Sequence, residues 1–225
     1  MKIFWFVYYV IKDFINWIFG ERQFNEYGFT LYVGRQGAGK TMGMVEWLER
    51  MRKRYPECLI LTNFGYVHQW GAMEGWEDII NVRNGEKGVI FAIDEIQNEY
   101  SSNDWKDFPE QILSQITQQR KQRVKIVGTS QVFTRVVKQI REQCFEVVEC
   151  KTWLGRWTHC HAFDATDYNS CFAEPNLKNA LPRVWKHSFI QTDEMRELYD
   201  SYMVIERMKE TKYMTAEEKK LRNII

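Results

Sequence analysis

Apolar positions along the chain fall into short, dense runs separated by polar stretches, and the runs differ in period. Residues 29–33, 58–62, 88–93, 124–129 and 145–150 are compact and rich in β-branched or aromatic side chains. Such runs, bounded by turn formers, predict buried strands. Between the first two, Met44, Val45, Trp47, Leu48 and Met51 recur on one face of a helix expected over 42–54. A second helix is expected before the fourth strand, from Phe108 to Arg123. That stretch lacks glycine, and Ile112, Leu113 and Ile116 mark its apolar face. Strands alternating with helices predict an α/β fold with a mainly parallel central sheet.

The flanks read differently. Ile3 to Ile11 is an unbroken apolar and aromatic run, interrupted at Lys12, Asp13 and Asn16 before Trp17, Ile18 and Phe19. A spanning helix needs about 20 mostly apolar residues, and a Lys-Asp pair falls inside this one, so a clean span is not expected. Two readings stay open for residues 1–20. One is an interfacial helix, since Trp and Tyr favour the headgroup region; the other is a helix packed on the core or on a partner such as a capsid or coat protein. From 151 to 190, Trp153, Trp157, Phe163, Tyr168, Phe172 and Trp185 lie among turn formers without helical spacing. These residues are expected to add strands and loops, followed by a helix from Asp193 to about Met208 and a solvated tail near Glu217–Lys220. The expected organisation is an N-terminal aromatic segment (1–27), a core (28–150) and a C-terminal extension (151–225).

Candidate chemistry begins directly after the first strand. Gly34-Arg35-Gln36-Gly37-Ala38-Gly39-Lys40-Thr41 fits the phosphate-binding pattern GxxxxGK[ST] at every fixed position. Glycines let the backbone turn tightly and bring N–H groups to phosphate oxygens. Lys40 places a charge at the β- and γ-phosphates, and Thr41 offers a hydroxyl to Mg²⁺. The order strand, glycine loop, helix aims a helix N-terminus at the phosphates. The third strand ends in Asp94-Glu95, and in a parallel sheet ligands lie beyond the carboxyl ends of strands. Asp94 is therefore expected to hold Mg²⁺ and Glu95 to polarise the attacking water. This pair favours ATP hydrolysis over simple nucleotide binding, and over a kinase with an acceptor site. Gln131, closing the fourth strand, is expected to sense the γ-phosphate or position the water.

Other features change the picture less. Net charge is +1 and 44% of residues are hydrophobic, enough for a sizeable core and too little charge for a global field towards DNA. DNA contact would need local basic patches or a channel through an oligomer. Five cysteines cannot all pair internally, and no signal-peptide cleavage pattern is present, which favours a reducing compartment. Cys150, Cys160, His161 and Cys171 lack a C-x₂-C knuckle, so no metal besides Mg²⁺ is expected. Arg120, Arg123, Arg141 and Arg156 are candidates for an arginine that completes a neighbouring subunit's site, and no spacing rule selects among them.

Asp94-Glu95 after an apolar strand, with Gln131 closing the next, resembles the FtsK–HerA branch of P-loop ATPases. Leu61-Thr62-Asn63, Gln118-Gln119-Arg120, Gln139-Ile140-Arg141, Phe189-Ile190-Gln191-Thr192 and Leu198-Tyr199-Asp200-Ser201-Tyr202 look closer still to the zonular occludens toxin (Zot)-like ATPase domain of filamentous phage assembly proteins. The resemblance covers roughly residues 28 to 205. It implies a RecA-like core and an oligomeric, often ring-shaped, ATP-driven motor for DNA movement, packaging or virion assembly. It also implies a place in the bacterial host cytoplasm or the virion, peripheral to the inner face of a membrane. Two departures stand out: the aromatic N-terminal segment, and the lack of the transmembrane helix and large domain those proteins carry after the ATPase. The length also suits the small genome-packaging ATPases of the same branch.

Overall fold

A computed structural model describes residues 2–19, 23–99, 119–171 and 180–199. The expected strands form as β1 (Gly28–Val33), β2 (Leu59–Thr62), β4 (Val89–Ile93), β5 (Val124–Ser130) and β6 (Cys144–Trp153). A two-residue edge strand, β3 (Gly71–Ala72), was not anticipated. β7 (Trp157–Asp164) and β8 (Trp185–Ile190) come from the aromatic region after residue 150. All eight lie in one sheet, ordered β3-β2-β4-β5-β1-β6-β7-β8. Pairing is parallel from β3 to β6 and antiparallel from β6 through β8. β6 runs unbroken across residue 150, so the extension is hydrogen-bonded to the core as a continuation of its sheet.

β1, β4 and β5 are buried along their whole length, as central parallel strands covered on both faces must be. Alternate residues serve opposite faces. Leu31, Phe91, Ile126 and Val147 point into one core with Phe133 and Tyr168. Tyr32, Ile90, Val127 and Val148 point into the other. There they meet Met44, Val45, Leu48 and Met51 of helix α2 (Lys40–Arg54), whose apolar face matches its predicted spacing. Because β5 lies between β1 and β4, the ends of β1, β4 and β5 open side by side at the carboxyl edge, the RecA-like arrangement expected from the resemblance.

Residues Lys2–Phe19 form helix α1. From Ile3 to Ile15 its large apolar side chains stay exposed, from 46% at Val7 to 79% at Ile3, so they do not pack on this chain's core. No helix among the described residues is long and apolar enough to cross a membrane.

The helix expected from Asp193 to about Met208 needs correction: it ends at Arg196. The Leu198 carbonyl accepts the Val67 N–H at 2.8 Å and Tyr199 bridges to Tyr66, which draws the chain into extended pairing instead. Leu198 and Tyr199 also pack on the α2-side core. Of the helix expected before β5, Gln119–Gln122 is helical; its apolar face at Ile112, Leu113 and Ile116 lies outside the described residues, as do Phe172 and the tail beyond Tyr199.

Candidate active site

The turn from β1 into α2 is a loop closed by an Ala38 N–H to Arg35 carbonyl bond of 3.0 Å. Gly39, at φ 84°, occupies the left-handed region, and a Cβ there would collide with the Thr152 hydroxyl of β6. Backbone conformation and space both require glycine. Gly39 caps α2 without a side-chain bond, so the first N–H groups of the helix are open to an anion.

Lys40 follows, 6% exposed, with its Nζ 3.6 Å from Glu95 Oε1. Thr41 Oγ1 donates to Asp94 Oδ1 at 2.9 Å. The same carboxylate oxygen accepts Thr129 Oγ1 of β5 at 2.6 Å, and Thr129 Oγ1 accepts the Glu95 N–H at 2.9 Å. Asn63, just past β2, accepts the Asp94 N–H at 2.7 Å and donates to the Asp94 carbonyl at 3.2 Å. Thr41 on α2 and Thr129 on β5 thus fix the Asp94 carboxylate, and Asn63 fixes its backbone. Glu95 has φ 49°, a conformation that costs a non-glycine residue on the order of 1 kcal/mol and recurs at functional sites. Gln97 Nε2 donates to its carboxylate.

Burial pushes the Asp94 carboxyl above the usual range, and the hydroxyls of Thr129 and Thr41 only partly oppose it. Thr41 and Asp94 make an oxygen-only donor pair, which fits Mg²⁺, a cation that takes one or two protein oxygens and completes its shell with phosphate and water.

Two cavities flank the loop. The larger, ≈970 Å³, is bordered by Gly34–Ala38, Gln131, Trp153, His159 and Tyr168. Gln131 is thereby brought to the loop, its Oε1 accepting from Arg135 Nη1 at 3.4 Å. The smaller, ≈420 Å³, is bordered by Lys40, Thr41, Thr152, Gln191, Arg196 and Tyr199.

Arg123, Arg141 and Arg156 border neither cavity. Arg123, at the opposite end of the sheet, donates to the Phe24 carbonyl at 2.5 Å. Arg141 lies over the Phe133 ring at 5.6 Å. Arg156 pairs with Asp193 at 2.7 Å, and the Arg120 side chain lies outside the described residues. Cys150 and Cys160 face each other across β6 and β7, Sγ to Sγ 3.8 Å, beneath α2.

Sequence reasoning gave no site role to Asn63, Thr129, Thr152, Thr158, Gln191 or Arg196. Thr129 had a signal, a polar residue at the carboxyl end of a core strand next to the Asp94 strand. Gln191 and Arg196 had none in spacing.

The family model described as Zonular occludens toxin (Zot) matches residues 48–203. That span includes Asp94, Glu95 and Gln131 and begins after the phosphate loop. No curated protein matches. Among solved structures, the N-terminal domain of zonular occludens toxin from Neisseria meningitidis is similar over 77% of this chain and 99% of that one, at 16% identity and a TM-score of 0.53. The genome packaging NTPase B204 from Sulfolobus turreted icosahedral virus 2 matches over 75% of this chain and 98% of that one, at 13% identity and a TM-score of 0.43. ATPases 2 and 3 of EccC from Thermomonospora curvata match over 75% and 37%, at 11% identity and a TM-score of 0.45. The Neisseria domain shares the fold.

Proposed function

We propose that this chain, which belongs to the zonular occludens toxin (Zot) family, hydrolyses ATP and works as an oligomeric motor that translocates or packages phage or mobile-element DNA. The carrying observation is the convergence of Lys40 and Thr41, beyond β1, with Asp94 and Glu95, beyond β4, at the carboxyl edge of the parallel sheet.

Each group then has a task. The loop N–H groups and the start of α2 hold the phosphate chain, with Lys40 countering charge on its terminal part. Thr41 and Asp94 would hold Mg²⁺, which neutralises charge on the β- and γ-oxygens when bound. Glu95 orients and deprotonates the attacking water; its pairing with Lys40 is one that a γ-phosphate competes for. Gln131, reaching the loop from β5, helps place that water. The ≈970 Å³ cavity gives room to the ribose and base on the side away from Asp94. A neighbouring subunit would supply an arginine, from Arg120, Arg123, Arg141 or Arg156, to the charge developing on the transferred phosphoryl group.

The test is steady-state hydrolysis by wild type and Glu95→Gln, with and without double-stranded DNA, while light scattering reports oligomeric state. The expected result is a multimer whose hydrolysis rises with DNA and falls about 10²-fold or more in Glu95→Gln. Hydrolysis indifferent to DNA would remove the DNA motor, and no hydrolysis would remove the enzyme.

The exposed aromatic helix α1 favours a second reading: a membrane-associated ATPase that drives filamentous virion assembly and extrusion. Trp5, Tyr8 and Tyr9 in the apolar run over residues 3–11 of α1 suit a headgroup boundary. Sedimentation with vesicles, abolished by Trp5→Glu with Ile11→Glu, and hydrolysis raised by lipid or coat protein rather than DNA, would support it.

A further inference from the structure

Resting on the ATP-hydrolase reading above, we propose that Arg196 is a phosphate-contacting residue of the same site, supplied in cis by the segment after β8 and held in place by Gln191. Arg196 borders the smaller cavity together with Lys40 and Thr41, the residues that address the terminal phosphates. Its guanidinium is anchored on neutral acceptors. Nε and Nη2 donate to Gln191 Oε1 at 3.2 and 3.0 Å, and Nη2 also donates to the Gly155 carbonyl. Among the described residues no carboxylate forms an ion pair with it, whereas Arg156, which donates to the Gln191 carbonyl, pairs with Asp193 at 2.7 Å. A guanidinium held on neutral acceptors beside a phosphate loop, with no carboxylate partner among the described residues, is matched to an anion that accepts a two-donor fork.

The anchor leads back to the loop. Gln191 is 5% exposed. Its Nε2 donates to Thr158 Oγ1 at 2.8 Å and to Thr152 Oγ1 at 3.5 Å. The two threonine hydroxyls lie 2.9 Å apart, and Thr152 donates to the Ala38 carbonyl inside the loop at 3.0 Å. Arginine only donates, so the amide oxygen of Gln191 must face it and the amide nitrogen must face the threonines. One hydrogen-bonded chain therefore runs from the loop backbone to the guanidinium, and each end sets the geometry of the other. Thr192 caps the short helix that carries Arg196, accepting the Met195 N–H at 3.3 Å. The bridge of Tyr199 to Tyr66 ties down the segment beyond it.

The test titrates a fluorescent N-methylanthraniloyl ATP and the matching ADP onto wild type, Arg196→Ala, Arg196→Lys and Gln191→Ala, alongside hydrolysis. For Arg196→Ala, ATP affinity should fall about 10-fold and kcat about 10²-fold, while ADP affinity changes less than about 3-fold, because the contact is to the terminal phosphate. Arg196→Lys should retain part of the ATP preference, and Gln191→Ala should lose part of it with Arg196 still present. Arg196 is exposed, so its replacement leaves the core intact. An Arg196→Ala protein that binds ATP as wild type does, or that loses ATP and ADP equally, overturns the assignment while the hydrolase stands. A wild type that binds neither nucleotide removes both.

Discussion

The two flanks of the phosphate loop are built from different material. On the β4–β5 flank, Asp94 and Glu95 are fixed by short bonds with Thr41 at the start of α2, Thr129 near the end of β5 and Asn63 just past β2. On the β6–β8 flank, Thr152, Thr158 and Gln191 form a neutral chain that ends in one cation, Arg196. The first flank concentrates negative charge in a buried setting, which suits a metal ion and a water-activating base. The second presents Arg196, which forms no carboxylate ion pair among the described residues, and a guanidinium suits phosphate oxygens. A phosphate chain lying between them meets opposite chemistry on its two sides. The difference teaches that one flank is organised for reaction and the other for grip and position.

Lys40 faces both flanks, so Lys40→Ala should have the largest effect, a loss of hydrolysis of about 10³-fold with no DNA rescue. The next pair of variants separates the flanks. Thr129→Val keeps shape but strips a donor from Asp94 and an acceptor from the Glu95 N–H. It should cost about 2–3 kcal/mol of stability, as buried groups are left unmade, and lower kcat about 10²-fold through misplaced Glu95. Thr158→Val removes the equivalent polar atom on the other flank, 0% exposed and bonded to Gln191. It should cost about 1–2 kcal/mol and reduce hydrolysis several-fold through weaker ATP binding. Denaturant melts and Michaelis–Menten curves on both variants check this. A larger kcat loss in Thr158→Val than in Thr129→Val would break the division between reaction and grip.

The same division explains what could be read from the residues alone. The β4–β5 flank is written in contiguous motifs: a glycine loop with Lys40-Thr41, and a strand ending in Asp94-Glu95. Parallel strands align their carboxyl ends, so strand order alone carries those residues together. The family match over 48–203 and the Neisseria structure agree with the family and the α/β fold expected from those motifs. The β6–β8 flank is assembled from Ala38, Thr152, Thr158, Gln191 and Arg196, far apart in sequence and brought together by the pairing of β6 with β1 and β7 and by the turn after β8. Threonine and glutamine have no spacing signature, and a single arginine looks like any surface arginine. Within this chain Arg156 tethers the same segment, pairing with Asp193 and donating to the Gln191 carbonyl at 3.0 Å. The helix predicted from Asp193 failed at Arg196 because the contacts that end it, Val67 with Leu198 and Tyr66 with Tyr199, are tertiary.

The smallest expected effect concerns stability against pH, and it also distinguishes the flanks. Burial raises the Asp94 pKa above its unfolded value, so the folded state binds that proton more tightly than the unfolded chain does. The associated stabilisation is complete below the unfolded pKa, near 4, and is lost as pH rises through the folded value. Above that folded value the ionised carboxylate is held in the fold at a cost relative to its protonated form. Asp94→Asn keeps an acceptor for the hydroxyls of Thr41 and Thr129 and removes the charge. It should raise Tm by about 2–4 °C at neutral pH, with the gain shrinking towards pH 4, while abolishing hydrolysis. Thr158→Val, on the uncharged chain, should lower Tm by the same amount across that range. Calorimetry from pH 4 to 8 reads both, and an Asp94→Asn protein less stable than wild type at pH 7 would mean that the bonds to Asp94 outweigh its burial, making both flanks alike in being built for stability.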